Sequence, residues 1–209
     1  MAGPGRLIAM EGIDGSGKST QCRILADALG ALCTREPGAT ALGRAIRTVV
    51  LEPGRAMLSE RAEALLMAAD RAAHVAEVLG PSLAGGRWVV TDRYSASTLA
   101  YQGYGRGLEL VELERLVDWA TGGLRADLTV LVDVPVQEAR ARRRHDVPDR
   151  IEAFDDGFHH RVRTGYLALA ARRPEQWVVV DGSAQVDSVA RAIATAVAER
   201  LGPAPAPAS

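Results

Sequence analysis

A glycine-rich stretch near the amino terminus carries a lysine and three hydroxyl side chains. Within EGIDGSGKST, at 11–20, the residues Gly12, Gly17, Lys18 and Ser19 fit the pattern GxxxxGK[S/T]. Glycines let successive backbone N–H groups turn inward around phosphate oxygens, and the helix that follows adds unpaired N–H donors and the positive end of its dipole. Lys18 supplies charge for the β- and γ-phosphates, and the Ser19 hydroxyl can ligate Mg²⁺. The residues predicted to hold a nucleoside triphosphate are Gly12, Ile13, Asp14, Gly15, Ser16, Gly17, Lys18, Ser19 and Thr20.

The alternative for this stretch is a turn that only joins a strand to a helix, and it gives no reason for Lys18 and Ser19 to follow Gly17. The phosphate loop does not by itself name a reaction, because GTPases, motor ATPases and small-molecule kinases share it. Asp14 narrows the choice, since a carboxylate beside phosphates is unfavourable unless it binds a cation or an acceptor hydroxyl. Asp14 is therefore a candidate catalytic residue and metal ligand, with a solvated loop aspartate as the alternative.

A second anion site is predicted after the third strand. The stretch TDRYSAS at 91–97 places Asp92 and Arg93 at the carboxyl end of that strand, where parallel sheets bind ligands. Asp92 is positioned to orient the Mg²⁺ shell, and Arg93 to grip a second phosphate with two parallel hydrogen bonds. A purely structural Asp–Arg pair is the alternative. Arg35, in TREPG, ends the preceding strand at the same edge and is a further candidate for the acceptor phosphate.

The helix predicted over 59–79 has two contrasting faces. At 100° per residue, side chains three or four residues apart share one face of a helix, and two opposite stripes can be followed. The first stripe contains Leu65, Ala69, Ala72 and Ala76, and the opposite one contains Met67, Arg71, His74 and Val78. Met67 and Arg71, four residues apart, are suited to line a pocket for a flat base, with Arg71 donating to a carbonyl oxygen. The same stripe is equally consistent with half of a dimer interface, and we interpret His74 as a surface or packing residue.

An arginine-rich run, ARARRRHDVPDRIE, occupies 139–152. Charge runs are usually solvated faces, and that alternative applies to any of these arginines. After the fourth strand of a phosphate-loop chain, however, a lid over about 140–152 is expected, and lid arginines can stabilise charge on a transferring phosphoryl group. Lid closure also excludes water and suppresses hydrolysis. Arg143 and Arg150 are the predicted catalytic members.

Short apolar runs alternate with longer helical patterns along the chain. Strands are predicted at 7–10, 31–34, 88–92, 128–133 and 177–181, and helices at 18–29, 59–79, 110–119, 136–144, 153–172 and 185–201. Strands that are apolar on both faces and alternate with helices indicate an α/β fold, a five-stranded parallel sheet with helices on both faces. Gly80 and Pro81 are predicted to end the second helix. We expect one domain over 1–202 and a disordered Pro/Ala-rich tail at 203–209.

Composition limits the classes of partner. The chain of 209 residues is 47% apolar and has a formal net charge of −1, so nothing global favours a nucleic-acid or anionic-membrane surface. The first residues are too weakly apolar for a signal peptide, and no run reaches the ~20 apolar residues of a membrane span. Cys22 and Cys33 suit a reducing compartment and are interpreted as packing residues. We therefore expect a cytoplasmic protein.

Six motifs occur in a characteristic order: EGIDGSGKST, TREPG, LLMAADRAAH, DRYSASTLAYQG, the lid with DRIE, and VVVDGS. With them the sequence resembles the bacterial thymidylate kinases over nearly its whole length. The resemblance implies a P-loop nucleotide kinase fold and a homodimer. It also implies transfer of the γ-phosphate of ATP to dTMP with Mg²⁺, giving dTDP and ADP on the way to dTTP.

The resemblance also implies residue roles in the acceptor site. Arg93 holds the dTMP phosphate with Arg35 near the same end, while Asp14 lies near the sugar hydroxyl and the metal. The thymine contacts fall to Arg71 and Thr98, and Tyr101 packs under the deoxyribose, where it crowds out a 2′-hydroxyl. Tyr166 completes that wall, and Gln102 is also assigned to the residues that bind dTMP. The implied metal ligands are Ser19, Asp14 and Asp92.

Two departures from the family pattern are visible. Met67 stands where the family usually has a phenylalanine against the thymine ring, and a thioether can still cover a ring face. The lid is about one residue longer before Asp149 than the commoner pattern. Because 14–17 contains no arginine, the chain is similar to the branch that supplies its catalytic arginine from the lid.

Two other functions remain open on the sequence. The first is a deoxynucleoside kinase or another nucleoside monophosphate kinase. Thymidine offered in place of dTMP would identify a deoxynucleoside kinase, because Arg93 and Arg35 have no partner on an unphosphorylated acceptor. The second is a nucleotide-dependent switch. Against the switch, the sequence contains no Asn-Lys-x-Asp stretch to read guanine, and a switch needs no arginine-rich lid.

Overall fold

The computed structural model describes residues 5–53, 58–143 and 147–202. Part of the predicted lid, 144–146, and the predicted disordered tail, 203–209, lie outside these described residues. The extent of the single domain, 1–202, therefore stays a prediction.

The centre of the fold is a parallel sheet. Its strands are β1 (Leu7–Glu11), β2 (Leu32–Arg35), β3 (Val89–Asp92), β4 (Leu128–Asp133) and β5 (Trp177–Asp181), in the order β2-β3-β1-β4-β5. β1 is buried along its whole length between β3 and β4, with Met10 opposite Asp92 on one side and Val130 on the other. The predicted five-stranded parallel sheet is confirmed, because strands covered on both faces read as continuous apolar runs.

Helices surround this sheet. They are α1 (Lys18–Leu29), α2 (Ala41–Leu51), α3 (Glu60–His74), α4 (Gly80–Ala84), α5 (Ser95–Thr98), α6 (Leu110–Thr121), α7 (Val136–Arg142), α8 (Asp156–Arg172) and α9 (Val186–Leu201). Two π-helical segments, Val75–Leu79 and Leu99–Gly105, continue α3 and α5. One apolar cluster, including Tyr101 and Phe158, packs under α8, and another, including Ile8 and Val90, packs against α1 and α9. Helices thus cover both faces of the sheet, as predicted.

The predicted stop at Gly80 and Pro81 is wrong. The π-helical segment Val75–Leu79 runs directly into α4, whose first turn holds Pro81. A proline in the first helical turn needs no hydrogen-bond donor, so it does not interrupt the helical path. The helical path ends at Gly85 instead, after Ala84.

The two stripes of α3 differ in burial. Leu65 is 59% exposed, and Ala69 and Ala76 are exposed as well, so the first predicted stripe faces away from the sheet. The buried residues of α3 are Glu63, Ala64, Ala68, Asp70, Arg71 and His74, four of them charged or titratable. An interior helix face of this composition needs partners for its polar groups, and several of these partners line the central cavity described below.

The cysteines are both free thiols. Cys22 is buried, as predicted, whereas Cys33 is exposed and is not a core residue. The two Sγ atoms lie 3.7 Å apart, so they are in contact without being bonded. Separately, none of the helices within the described residues has the length and apolar content needed to cross a bilayer.

Candidate active site

The loop between β1 and α1 has the backbone of a phosphate cradle. Gly12, Gly15 and Gly17 adopt φ values of +147°, +86° and +89°, which favour glycine. A Cβ on Gly12 would lie 2.6 Å from the Val132 carbonyl, and one on Gly15 would lie 2.3 Å from the Ala139 carbonyl. The loop therefore accepts no side chain at these positions and leaves its backbone donors open to a ligand.

Lys18 begins α1 and turns back over this loop. Its Nζ donates to the Ile13 carbonyl at 3.5 Å and to Asp14 Oδ1 at 3.2 Å. The side chain is only 6% exposed, so its charge is presented to the loop and not to bulk water. Ser19, next to it, is exposed and lines the cavity.

Asp14 joins the two predicted anion sites. Arg93 Nη2 donates to Asp14 Oδ1 at 2.5 Å, and the Tyr101 hydroxyl donates to Oδ2 at 2.7 Å. Burial by itself raises the pKa of Asp14, but the charge of Arg93, followed by that of Lys18, lowers this pKa well below its usual range. Asp14 is thus ionised and holds both cations in place.

Arg93 follows β3 in a left-handed conformation, with φ of +75°. Its Nη1 donates to the Gly12 carbonyl, to Ser97 Oγ and to the Tyr166 hydroxyl at 3.1 to 3.2 Å. Its guanidinium also lies 4.9 Å from the centre of the Tyr101 ring. Although burial opposes its charged form, the neighbouring Asp14 raises the pKa of Arg93 well above its ordinary value. The guanidinium is therefore a fixed positive group beside the phosphate loop.

Glu11 supports Arg93 indirectly, through Ser97 and Tyr166, and was not among the predicted site residues. Its carboxylate accepts from the Tyr94 and Ser97 backbone N–H groups at 2.9 and 3.2 Å. It also accepts from Ser97 Oγ at 2.6 Å and from the Tyr166 hydroxyl at 2.8 Å. Complete burial raises the pKa of Glu11, and these hydrogen bonds counteract part of that rise. The available signal was a glutamate at the end of an otherwise apolar buried strand.

One cavity of about 860 Å³ contains both predicted anion sites. Predicted residues that line it are Asp14, Gly15, Gly17, Lys18, Ser19, Thr20, Arg35, Met67, Arg71, Asp92, Arg93, Thr98, Tyr101, Gln102 and Arg143. Gly12, Ile13 and Ser16 belong to the loop but are buried behind this surface. Tyr166 is completely buried and touches Arg93 and Glu11, so it supports the wall without forming its surface.

The part of the cavity that is predicted to hold a flat base is built on Arg71. This arginine is 2% exposed and donates to Glu36 Oε2 and Thr98 Oγ1 at 2.8 Å and to the Tyr94 carbonyl at 3.0 Å. His74 Nδ1 lies 2.9 Å from the other Glu36 oxygen, and its Nε2 lies 2.8 Å from Thr34 Oγ1. His74 was interpreted as a surface or packing residue; it is completely buried, so it is not a surface residue, and it is held in this polar network. Glu36, which fixes Arg71, was missed. It lies within the TREPG motif, but the sequence analysis assigned a role only to Arg35 of that motif.

Three of the lid arginines, Arg142, Arg143 and Arg150, make different contacts. Arg143 pairs with Glu152 at 3.3 Å and lines the cavity beside Gly15, with its Nε buried and without a partner among the described residues. Arg142, which was not predicted, donates to the Ser16 carbonyl at 3.3 Å and the Gly182 carbonyl at 2.8 Å.

Arg150 does not line the cavity, although its neighbours Asp149 and Ile151 do. It donates to the Val50 carbonyl at 2.7 Å and to Glu63. Its side chain therefore contacts α2 and α3. A role at the phosphoryl group stays a prediction, and it requires the ion pair with Glu63 to open.

The residues fit a magnesium ion with few protein ligands. Asp92 Oδ1 is buried and has no hydrogen-bond partner within the described residues, and Asp92 and Ser19 line the same cavity. In contrast, both Asp14 oxygens already accept hydrogen bonds from Arg93, Lys18 and Tyr101. The described residues contain no cluster of three or more His, Cys, Asp or Glu side chains that could hold a metal. Mg²⁺ commonly binds through one or two protein oxygens plus substrate phosphates, so this donor set is adequate.

A phosphate loop and a second cation site on one cavity of a parallel sheet define a P-loop nucleotide kinase. Residues 10–193 match the family model described as thymidylate kinase. The chain therefore belongs to the thymidylate kinase family, and it is an ATP-dependent nucleotide kinase. The predicted resemblance, fold class and enzyme class are confirmed.

Individual relatives support this assignment. A thymidylate kinase of Prochlorococcus marinus (strain MIT 9313) is 48% identical over 95% of this chain and 96% of its own. One from Desulforudis audaxviator (strain MP104C) is 47% identical over 90% and 88%. The crystal structure of thymidylate kinase from Ehrlichia chaffeensis superposes with a TM-score of 0.77 at 29% identity, covering 93% of this chain and 99% of that one.

Proposed function

We propose that the protein transfers the γ-phosphoryl group of ATP to dTMP and releases dTDP and ADP, as its membership of the thymidylate kinase family indicates. The observation that carries the proposal is that two cationic side chains contact the same carboxylate oxygen. Lys18 of the phosphate loop and Arg93 of the second anion site both contact Asp14 Oδ1 on one cavity. Two phosphate-bearing ligands bound by these side chains would meet head to head.

Catalysis in this proposal comes from positioning and electrostatics. The loop N–H groups and Lys18 hold the triphosphate, and Arg93 aligns the acceptor oxygen for in-line attack. Asp14 keeps Lys18 and Arg93 together before the substrates arrive, so little reorganisation is needed when phosphates bind. Arg35 is exposed at the same edge and can assist with the acceptor phosphate.

The base and sugar are proposed to occupy the part of the cavity lined by Met67, Arg71, Thr98 and Gln102. Tyr101 closes this region, because its hydroxyl is held by Asp14 and its ring contacts the Arg93 guanidinium. A fixed ring in that position leaves little room for a 2′-hydroxyl, which favours deoxyribose. Tyr166 contributes by holding Arg93.

Mg²⁺ is proposed as the metal, held by Ser19 and Asp92 together with the substrate phosphates. It would supply charge neutralisation at the transferring group. Asp14 becomes a ligand only if its present contacts rearrange. Among the lid arginines we favour Arg143, because it lines the cavity beside Gly15.

A homodimer is proposed from the outer surface of α3 and α6. Leu65 on α3 is 59% exposed, and Val111 and Trp119 on α6 are 57% and 82% exposed. The two helices pack against each other, and large apolar side chains exposed on adjacent elements are typical of interaction surfaces. A second copy of this chain is the partner we propose. A cytoplasmic location and the lack of nucleic-acid or membrane partners stay predictions.

The experiment is a product assay with two acceptors. With ATP and Mg²⁺, purified protein should convert dTMP to dTDP with one ADP released per dTDP, and it should not use thymidine, which has no phosphate for Arg93 and Arg35. Preferential use of thymidine would favour a deoxynucleoside kinase. ATP-dependent binding of a partner protein without turnover would favour a switch.

A further inference from the structure

Glu63, on the first turn of α3, is a buried carboxylate that the function described so far does not use. It is 1% exposed and contacts three side chains from other elements. Gln102 Nε2 donates to Oε1 at 2.9 Å, and Arg106 Nη2 donates to Oε2 at 2.6 Å. Arg150 of the lid also donates to Oε2, and Arg106 Nε adds a longer contact of 3.3 Å to Oε1.

Glu63 is ionised in this environment. Burial raises its pKa, but the hydrogen bonds from Arg106, Gln102 and Arg150 outweigh this and lower the pKa below its ordinary value. An ionised carboxylate has only acceptor sites. Gln102 must therefore direct its amide NH₂ towards Glu63, and the carboxamide oxygen is left as the polar end available to the cavity that Gln102 lines.

We propose that Glu63 is the positioning residue that selects the base, because it fixes which end of the Gln102 carboxamide faces the acceptor. This inference rests on the proposed function. Thymine carries an N3–H donor, and cytosine carries an N3 acceptor in the same place. An oxygen of Gln102 accepts from thymine N3–H but meets a lone pair on cytosine N3. Leaving a buried polar group unpaired is the most effective way to reject a near-isosteric substrate.

The two oxygens of Glu63 make the substitution Glu63→Gln unusually informative. The shortest arginine contacts both end on Oε2, so the amide oxygen of the new side chain would remain there. Its NH₂ group would then occupy the position of Oε1 and point at Gln102. To avoid two facing donors, the Gln102 carboxamide must rotate and present its NH₂ to the cavity. The preference at N3 is thereby inverted.

The test is the ratio of kcat/KM for dTMP to that for dCMP, measured on the full chain with ATP and Mg²⁺. Glu63→Gln is expected to lower this ratio by about tenfold or more, chiefly through a higher KM for dTMP. The KM for ATP should change little. An unchanged ratio would overturn the proposal. If the unsubstituted protein makes no dTDP at all, the proposed function fails instead, and the two failures are therefore distinguishable.

Three further variants extend the test, and two of them, Arg106→Met and Gln102→Met, keep Glu63 and so remain usable if Glu63→Gln is unstable. Arg106→Met removes an ion pair from Glu63 without freeing Gln102, so it should cost stability and keep the ratio. Gln102→Met removes the acceptor, and the double variant Glu63→Gln/Gln102→Met should have the same ratio as Gln102→Met alone. Additive effects in this cycle, or loss of the ratio in Arg106→Met, would mean that Glu63 acts on the fold and not through Gln102.

Discussion

Lys18 and Arg93 meet at a single atom, since both donate to Asp14 Oδ1, at 3.2 and 2.5 Å. They come from opposite ends of adjacent elements, α1 and β3, and each was predicted to bind a different phosphate. Two cations this close are stable only with a shared anion between them, and Asp14 supplies that anion. Incoming phosphates can therefore take over a charge arrangement that already exists.

Replacement of Lys18 by alanine tests the triphosphate side. We expect kcat for dTDP formation to fall about 10²- to 10³-fold or more, because charge at the transferring phosphoryl is lost. Asp14 keeps Arg93 and Tyr101 as partners, so the melting temperature should change by no more than about 5 °C. Arg191→Ala, on the exposed surface of α9, is the matched loss of a cation. Near-normal turnover of Lys18→Ala would remove Lys18 from the reaction.

Replacement of Arg93 by lysine tests the acceptor side. Lysine keeps the charge but cannot reproduce the fork that reaches Gly12, Ser97, Tyr166, Asp14 and Tyr101. We expect the KM for dTMP to rise about 10- to 100-fold, consistent with the loss of charge-assisted hydrogen bonds, while the KM for ATP stays within about threefold. Steady-state kinetics with each substrate varied in turn checks this. An equal effect on both substrates would contradict a separate acceptor-phosphate site.

Asp70, on α3, links the cavity to pH-dependent stability. Burial, followed by the charge of Glu36, raises its pKa to about 6, and its Oδ1 accepts from the Gly38 N–H at 2.9 Å. A raised folded-state pKa stabilises the protein below the unfolded-state pKa of about 4, and this contribution is lost as the pH rises to about 6. Asp70→Asn keeps an oxygen for Gly38 and does not titrate.

Denaturation in urea measures the consequence for Asp70. As the pH rises from 4 to 7, the difference in free energy of unfolding between Asp70→Asn and the unsubstituted protein should grow by about 1–3 kcal/mol in favour of Asp70→Asn. Asp118→Asn, at an exposed position, is the control for simple loss of charge. A difference between Asp70→Asn and the unsubstituted protein that is constant with pH would contradict the shifted titration.

Met67 tests the position of the base. It is half-buried, lines the cavity and packs against the cluster that contains Tyr101. Met67→Phe should leave the KM for dTMP unchanged or lower it, whereas Met67→Ala should raise it several-fold, as expected for loss of a contact of ~0.3–1.5 kcal/mol. A clear rise in KM for Met67→Phe would indicate that this side chain does not face the base.

The dimer proposal predicts that a charge on the outer surface of α3 and α6 separates the subunits. Leu65→Glu and Trp119→Glu should each convert a dimer of about 44 kDa, twice the 22.2 kDa chain, into a monomer. Light scattering coupled to size-exclusion chromatography gives the mass. Leu42→Glu is the control, because Leu42 on α2 is also an exposed leucine, at 52% against 59% for Leu65. A monomeric unsubstituted protein would exclude the homodimer.

The sheet and the phosphate loop could be predicted because their signals are local. The bounds of α1, β4 and β5 agree with the sequence, since buried parallel strands are apolar throughout and glycine spacing defines the loop. α2 was missed because Gly43 and the β-branched run Thr48–Val50 disfavour a helix. Its available signal was Thr40, whose side chain accepts from the Gly43 N–H and caps the helix.

The supporting carboxylates could not be predicted in the same way. Glu11, Glu36 and Glu63 each hold a cavity residue in place through a partner that is 35 to 155 residues away in the chain. No spacing rule reports such pairs, because they depend on how distant elements pack. Arg150 illustrates the same limit, since the lid motif suggests the phosphoryl group, whereas folding brings the side chain to Glu63.

The most direct measurement uses one molecule in which thymidine and adenosine are joined 5′ to 5′ by a linear chain of phosphates. Calorimetric titration should give one molecule bound per chain, displaced by ATP or by dTMP, with affinity lost in both Lys18→Ala and Arg93→Lys. Two molecules per chain, or displacement by only one of the nucleotides, would contradict a single cavity in which the two phosphates meet.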